Sequence, residues 1–114
     1  MPYAIFTDPQ LGRVGPTEGE ARAKGRNIQV ARFEMKKNGR ARESGETEGF
    51  IKVIVDEKTK RLLGAAVLAA EGAELVHLYV DLMNAAAPYT TIRDAVHIHP
   101  TLAEAAQSVF EQLD

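Results

Sequence analysis

The residues of this 114-residue chain best suited to chemistry stand together in the stretch HIHPTLAE: His97, His99, Pro100 and Glu104. Imidazole titrates near neutral pH, and a carboxylate that holds one ring nitrogen leaves the other to take up and return a proton. Types and spacing admit three readings. As metal ligands, His97 and His99 on an extended stretch project to the same side, but a third ligand would have to be His77 or a carboxylate. No spacing recommends one, and no metal site is assigned. As helix-start chemistry, Thr101-Leu102-Ala103-Glu104 is a capping box, in which Glu104 satisfies the N–H of the threonine and His99 is a turn residue before proline. As an acid–base pair, Glu104 at the start of a helix reaches back toward His99 and orients its ring. The residues alone leave the last two readings open.

Composition limits what such a pair could act on. The chain has no cysteine, so disulfides, thiolate ligands and a cysteine nucleophile cannot originate in it. The formal net charge is -2, and the one basic cluster, Lys36, Lys37, Arg40 and Arg42, is offset at once by Glu43, Glu46 and Glu48. That predicts a solvated loop and no nucleic-acid surface. No apolar run approaches the roughly 18–20 residues that span a bilayer, and Met1-Pro2-Tyr3 is not a signal-peptide start. A soluble cytoplasmic protein without a membrane partner is expected. With 45% hydrophobic and 26% charged residues, residues 1–114 are expected to form a single folded domain.

The elements that would position the histidines can be read from periodicity and punctuation. Tyr3 to Thr7 reads as a short strand closed by Asp8-Pro9, and Gly12 and Gly15 punctuate the segment after it. Thr17-Glu18-Gly19-Glu20 is a capping box opening a short helix to about Lys24, stopped by Gly25. Residues 28–35 are strand-like, with a slip in alternation after Val30 that a bulge or an edge position would explain. Lys36 to Gly49 is a polar connection of a length that is usually functional or partly ordered by a partner. Phe50–Val55 and Arg61–Leu68 flank the turn Asp56–Lys60 as a hairpin, its second strand apolar on both faces and therefore central, with Gly64 permitting close approach. Gly72 to Ala87 is the strongest helix. Glu74, His77, Asp81 and Asn84 form a narrow polar stripe, so its apolar arc, Tyr79 and Met83 included, is wide enough for a second buried face or a subunit contact. Thr90 or Thr91 is expected to cap a short turn, and Thr101 to open a terminal helix with Leu102, Ala105, Ala106, Val109 and Phe110 on one side. The fold class is α+β, a mostly antiparallel sheet with helices packed on it.

The motif HPTLAE resembles the His-Pro-Thr-x-x-Glu signature of the flavin-dependent pyridine nucleotide–disulfide oxidoreductases, dihydrolipoamide dehydrogenase and glutathione reductase among them. FTDPQLGRVGPTEGEA, NGRARESGETEGFIKVIVD, KTKRLLGAAVLAAEGAEL and EAAQS are similar, in the same order, to the C-terminal interface domain of those enzymes, so the resemblance covers nearly the whole chain. It implies a homodimer in which His99 is the acid–base residue and Glu104 its orienting carboxylate, acting in trans on the flavin and redox disulfide of the other subunit. Pro100 with His99 would touch that FAD, His97 carries no implied role, and the helix at 72–87 would be interface material. FAD and NAD(P)H would belong to domains missing from this chain, which is expected alone to hold neither and to be inactive. The substrate would be a small disulfide or dithiol, in a dihydrolipoamide dehydrogenase-like or mercuric-reductase-like branch. The alternative is a stand-alone dimerisation or ligand-binding module that has kept the fold without the chemistry.

Overall fold

A computed structural model of the chain describes residues 3–5, 10–38, 49–69, 72–94 and 103–113. Strands β1 (Tyr3–Ile5), β2 (Gln10–Val14), β3 (Ile28–Glu34), β4 (Phe50–Asp56) and β5 (Leu62–Ala69) form, among the described residues, one antiparallel sheet in the order β1-β2-β5-β4-β3. Helix α1 (Glu18–Ala23) lies between β2 and β3, and α2 (Gly72–Asn84), α3 (Thr90–Arg93) and α4 (Ala103–Ser108) come after the sheet. The α+β reading holds, and β5 is central as its two apolar faces require.

Register explains the core. Gly12 pairs with Val67, Val67 with Ile51 and Ile51 with Phe33, so these positions share one face of the sheet. The neighbouring row on that face, Val14, Ala65, Val53 and Ala31, is buried as well. Helix α2 covers β2 and β5, while the C-terminal 3₁₀ turn Val109–Gln112 covers β3 and β4. The opposite face is covered partly by α1, whose Ala21 is buried and whose Glu18 binds Lys52 of β4 at 2.7 Å.

Several expectations need correction. Strand β2 stands where the sequence reads as loop, because Gly12 in its middle looks like punctuation; here a Cβ on Gly12 would lie 2.6 Å from the Gly72 carbonyl oxygen and 2.8 Å from Val76 Cβ. The glycine is there because α2 sits almost on the strand. Strand β3 is indeed an edge, but its pairing with β4 is regular, and the irregularity falls between β4 and β5 at Ile54/Val55. Helix α2 ends at Asn84, three residues before Ala87. Its polar stripe is exposed as expected, but Tyr79 is fully buried in the chain's own core and is not interface material. Helix α3 starts from Tyr89 with no side-chain cap, so neither Thr90 nor Thr91 performs that task. Strand β3 ends at Glu34, one residue before Met35, and Met35–Lys37 form a 3₁₀ turn leading into the polar connection, with Met35 fully buried; positions 39–48 lie outside the described residues.

Candidate functional site

Of the residues singled out for chemistry, Glu104 occupies the second position of α4. His97, His99 and Pro100 lie outside the described residues, as do Thr101 and Leu102 of the second capping box. The structure does describe the frame on either side of residues 95–102.

The downstream side is α4 and the 3₁₀ turn that continues it. Ala105, Ala106, Val109 and Phe110 are all completely buried, as the one-sided apolar pattern predicts. Phe110 stacks on Tyr89, with ring centroids 5.5 Å apart at 27°, and meets Tyr79 edge-on at 5.7 Å and 83°; geometries of this kind add to plain burial. The Tyr79 hydroxyl donates to the Ala106 carbonyl at 3.0 Å. Burial pushes the Tyr79 phenol far up, so it stays a neutral donor. The backbone of α4 is therefore packed into the core and hydrogen-bonded to α2.

The upstream side is α3. Gln107 Nε2 of α4 donates to the Arg93 carbonyl oxygen at 2.9 Å, tying the two ends of the stretch 95–102 to each other. Arg93 in turn bonds Asp94 through Nε at 3.0 Å and lies over the Tyr89 ring at 5.4 Å; the hydrogen bond to Asp94 raises the pKa of its guanidinium. The histidine-bearing stretch thus leaves and re-enters one packed unit made of α2, α3 and α4. This is the mounting that proton-transfer groups need if their geometry is to be held.

Two residues of this frame escape the sequence reading. Tyr79 reads as interface material because its helix has a wide apolar arc; a tyrosine amid aliphatic residues is also the type that buries a ring and spends its hydroxyl on a partner. Gln107 has one signal, a lone amide in a run of alanines, and nothing in its spacing points to Arg93. Among the described residues no group of three or more His, Asp or Glu side chains is arranged to hold a metal ion. None of their helices is long and apolar enough to cross a membrane.

Residues 1–110 match the family described as the pyridine nucleotide-disulphide oxidoreductase dimerisation domain. RclA of Escherichia coli, described as a probable pyridine nucleotide-disulfide oxidoreductase, is 39% identical over 110 residues, 96% of this chain and 25% of that protein. Dihydrolipoyl dehydrogenase 3 of Haloarcula marismortui is 38% identical over 105 residues, 92% of this chain and 22% of that one. The solved structure of the HOCl-induced flavoprotein disulfide reductase RclA from Escherichia coli superposes on all of the chain with a TM-score of 0.96, at 38% identity and over 26% of its own length. The chain spans about a quarter of these relatives.

Proposed function

Since this chain belongs to the dimerisation-domain family of the pyridine nucleotide-disulphide oxidoreductases, we propose that it serves a homodimeric, FAD-dependent, NAD(P)H-linked disulfide reductase, supplying His99 and Glu104 in trans to the redox centre of the partner subunit. The observation that carries this reading is that a chain matching the family over residues 1–110 also keeps His99-Pro100-Thr101 and Glu104 in the signature order. The relatives named dihydrolipoyl dehydrogenase favour a small dithiol or disulfide substrate. In this reading the remaining FAD and NAD(P) domains of the enzyme lie outside the 114 residues.

When bound, the flavin supplies the two-electron exchange. The sequence has no Gly-x-Gly-x-x-Gly loop, so other parts of the polypeptide hold the dinucleotide, with His99 and Pro100 as this chain's points of contact. The work left to this chain is the proton. A thiol with a pKa of about 8.5 gives its proton to an imidazole of about 6.5 at a cost of roughly two pKa units, small enough for fast transfer near neutral pH. His99 takes that proton and returns it to the leaving thiolate; Glu104 fixes the tautomer and stabilises the imidazolium without receiving the proton. Tyr79 and Gln107, through Ala106 and Arg93, hold the helix that carries Glu104.

In the full-length enzyme, His99→Gln is expected to lower thiol–disulfide turnover by about 10²–10⁴-fold while bound-flavin absorbance is unchanged. Turnover at the parental rate would end this reading and favour the non-catalytic module. The dimer has its own test. Leu78 and Val80 of α2 are partly buried and retain exposed apolar surface, so Leu78→Asp should weaken the dimer in sedimentation without unfolding the chain, whereas Tyr79→Asp should unfold it. A dimer indifferent to Leu78→Asp places the contact elsewhere.

A further inference from the structure

The hairpin end of the sheet holds a cleft of about 290 Å³, between the β4–β5 turn and the C-terminal end of α2. That volume is at the low end for a small-molecule site and suits a ligand of a few heavy atoms. Its walls are of two kinds. Leu62, Leu63, Met83 and Ala87 give it an apolar side. Arg26 and Arg61 also line it, both exposed; neither guanidinium makes a hydrogen bond or close ion pair with the described residues, and Arg26 acts on Asp56 at longer range, helping to lower its pKa.

The lining also includes one carboxylate, Asp56, which would oppose an anion. Its oxygen Oδ2 is already engaged by the turn, accepting from Thr59 N at 3.0 Å and from Thr59 Oγ1 at 2.7 Å. Two arginines against one aspartate leave the lining with a net charge of +1. A second observation falls at the same place. The two non-glycine residues with positive φ among those described are Lys60, at 63°, and Ala86, at 53°. Ala86 lines the cleft, and the chain beside it is fastened to the turn by Tyr89 N donating to the Lys60 carbonyl at 2.8 Å and by a bridge between Arg61 and Pro88. Each is set by its own turn, Ala86 by the end of α2, where Ala87 N donates to the Leu82 carbonyl at 3.4 Å, and Lys60 by the β4–β5 turn, where its N–H donates to the Asp56 carbonyl at 2.9 Å; together they fix the rim of the cleft.

We propose that this cleft binds a small organic anion, a carboxylate on a short aliphatic body, with Arg26 and Arg61 at its head and Leu63, Met83 and Ala87 along its tail. The guanidinium fork is the group that pairs best with a planar carboxylate, and the apolar wall selects a ligand with something to bury. The proposal does not rest on the role of His99.

The test is a titration of the purified chain with acetate, butyrate, hexanoate and inorganic phosphate at low ionic strength, monitored by the amide shifts of Arg61, Leu63 and Ala87. Saturable binding is expected, with affinity rising about three- to fourfold per methylene and hexanoate binding more tightly than phosphate. The R26Q/R61Q double variant should lose about tenfold or more in hexanoate affinity; both side chains are exposed, so its melting temperature should match the parent's. Absence of saturation, a flat chain-length series, phosphate binding as well as hexanoate, or an unaltered double variant would each overturn the proposal.

Discussion

Two stretches of this sequence carry the same spacing, a threonine and then, three positions later, a glutamate: Thr17 and Glu20 at α1, Thr101 and Glu104 in the sequence that runs into α4. At α1 the box is closed in both directions, Glu20 N donating to Thr17 Oγ1 at 3.1 Å and Thr17 N to Glu20 Oε1 at 3.0 Å. The helix behind it is peripheral. Ala21 is its one buried residue, and it is held to the sheet by Glu18, which also pairs with Arg22 at 3.0 Å. Helix α4 is the reverse, with Ala105 and Ala106 fully buried and both Tyr79 and Gln107 tying its surroundings together. A local pattern therefore states how a helix can start, and the tertiary mounting decides what else the carboxylate is available for. Glu20 is fully accounted for by its cap; Glu104 comes after two histidines on a helix whose Ala105 and Ala106 are fully buried.

Making the same change in both boxes separates them most directly. Glu104→Gln in the full-length enzyme is expected to slow disulfide turnover on the order of tenfold, less than the loss on removing the His99 base itself, while Glu20→Gln leaves turnover unchanged. A glutamine fills an N3 position almost as well as a glutamate, so both variants should stay folded. Equal turnover in the two would reduce Glu104 to helix-start chemistry.

The second difference is packing, and it shows in stability. Phe110, fully buried between Tyr79 and Tyr89 in the turn that continues α4, should cost about 3–5 kcal/mol when truncated to alanine. Ala21→Gly in α1 should cost about 1–2 kcal/mol, the propensity difference plus one buried methyl. Urea unfolding of both variants measures the gap. Similar costs would mean that α4 is no more deeply embedded than α1.

What the sequence makes readable divides along the same line. The α1 box, the hairpin with central β5, the edge position of β3 and the buried side of α4 are short-range patterns, and each appears where local periodicity places it. The misreadings depend on partners distant in sequence. Strand β2 looks like a loop until α2 is laid across Gly12, and Tyr79 looks like interface material until Phe110 and Ala106 arrive from the C-terminus. Gln107 carries no sign of Arg93. The candidate site is readable as a motif, through types, spacing and family resemblance, but the frame that mounts it is tertiary.

The cap itself yields a smaller effect. Thr17→Ala removes the acceptor for the Glu20 N–H and should lower stability by about 1 kcal/mol, with no change in turnover.

Smaller still is the effect of the charge on Glu20, and its sign can be worked out. The Thr17 backbone N–H, and after it the Thr17 hydroxyl, hold the Glu20 carboxyl below the ordinary glutamate range. A group whose pKa is depressed by folding contributes stability that is present above its unfolded value, about 4.3, and is lost as pH falls through the folded value. Parent and Glu20→Gln should therefore differ in melting temperature at pH 7 and at pH 5, and the gap should close as pH falls below about 4. Glu18, lowered by Lys52 and Arg22, and Asp56, lowered by Thr59, are present in both proteins and produce an acid-dependent loss common to the two. Only the difference between the curves reports on the cap. A gap independent of pH would show that glutamate at N3 acts here as a hydrogen-bond acceptor and not as a charge. The same titration on Glu104→Gln then separates the two boxes. If its melting gap closes in acid like that of Glu20→Gln while turnover stays parental, the two glutamates do one job; if turnover falls at neutral pH, Glu104 has a second.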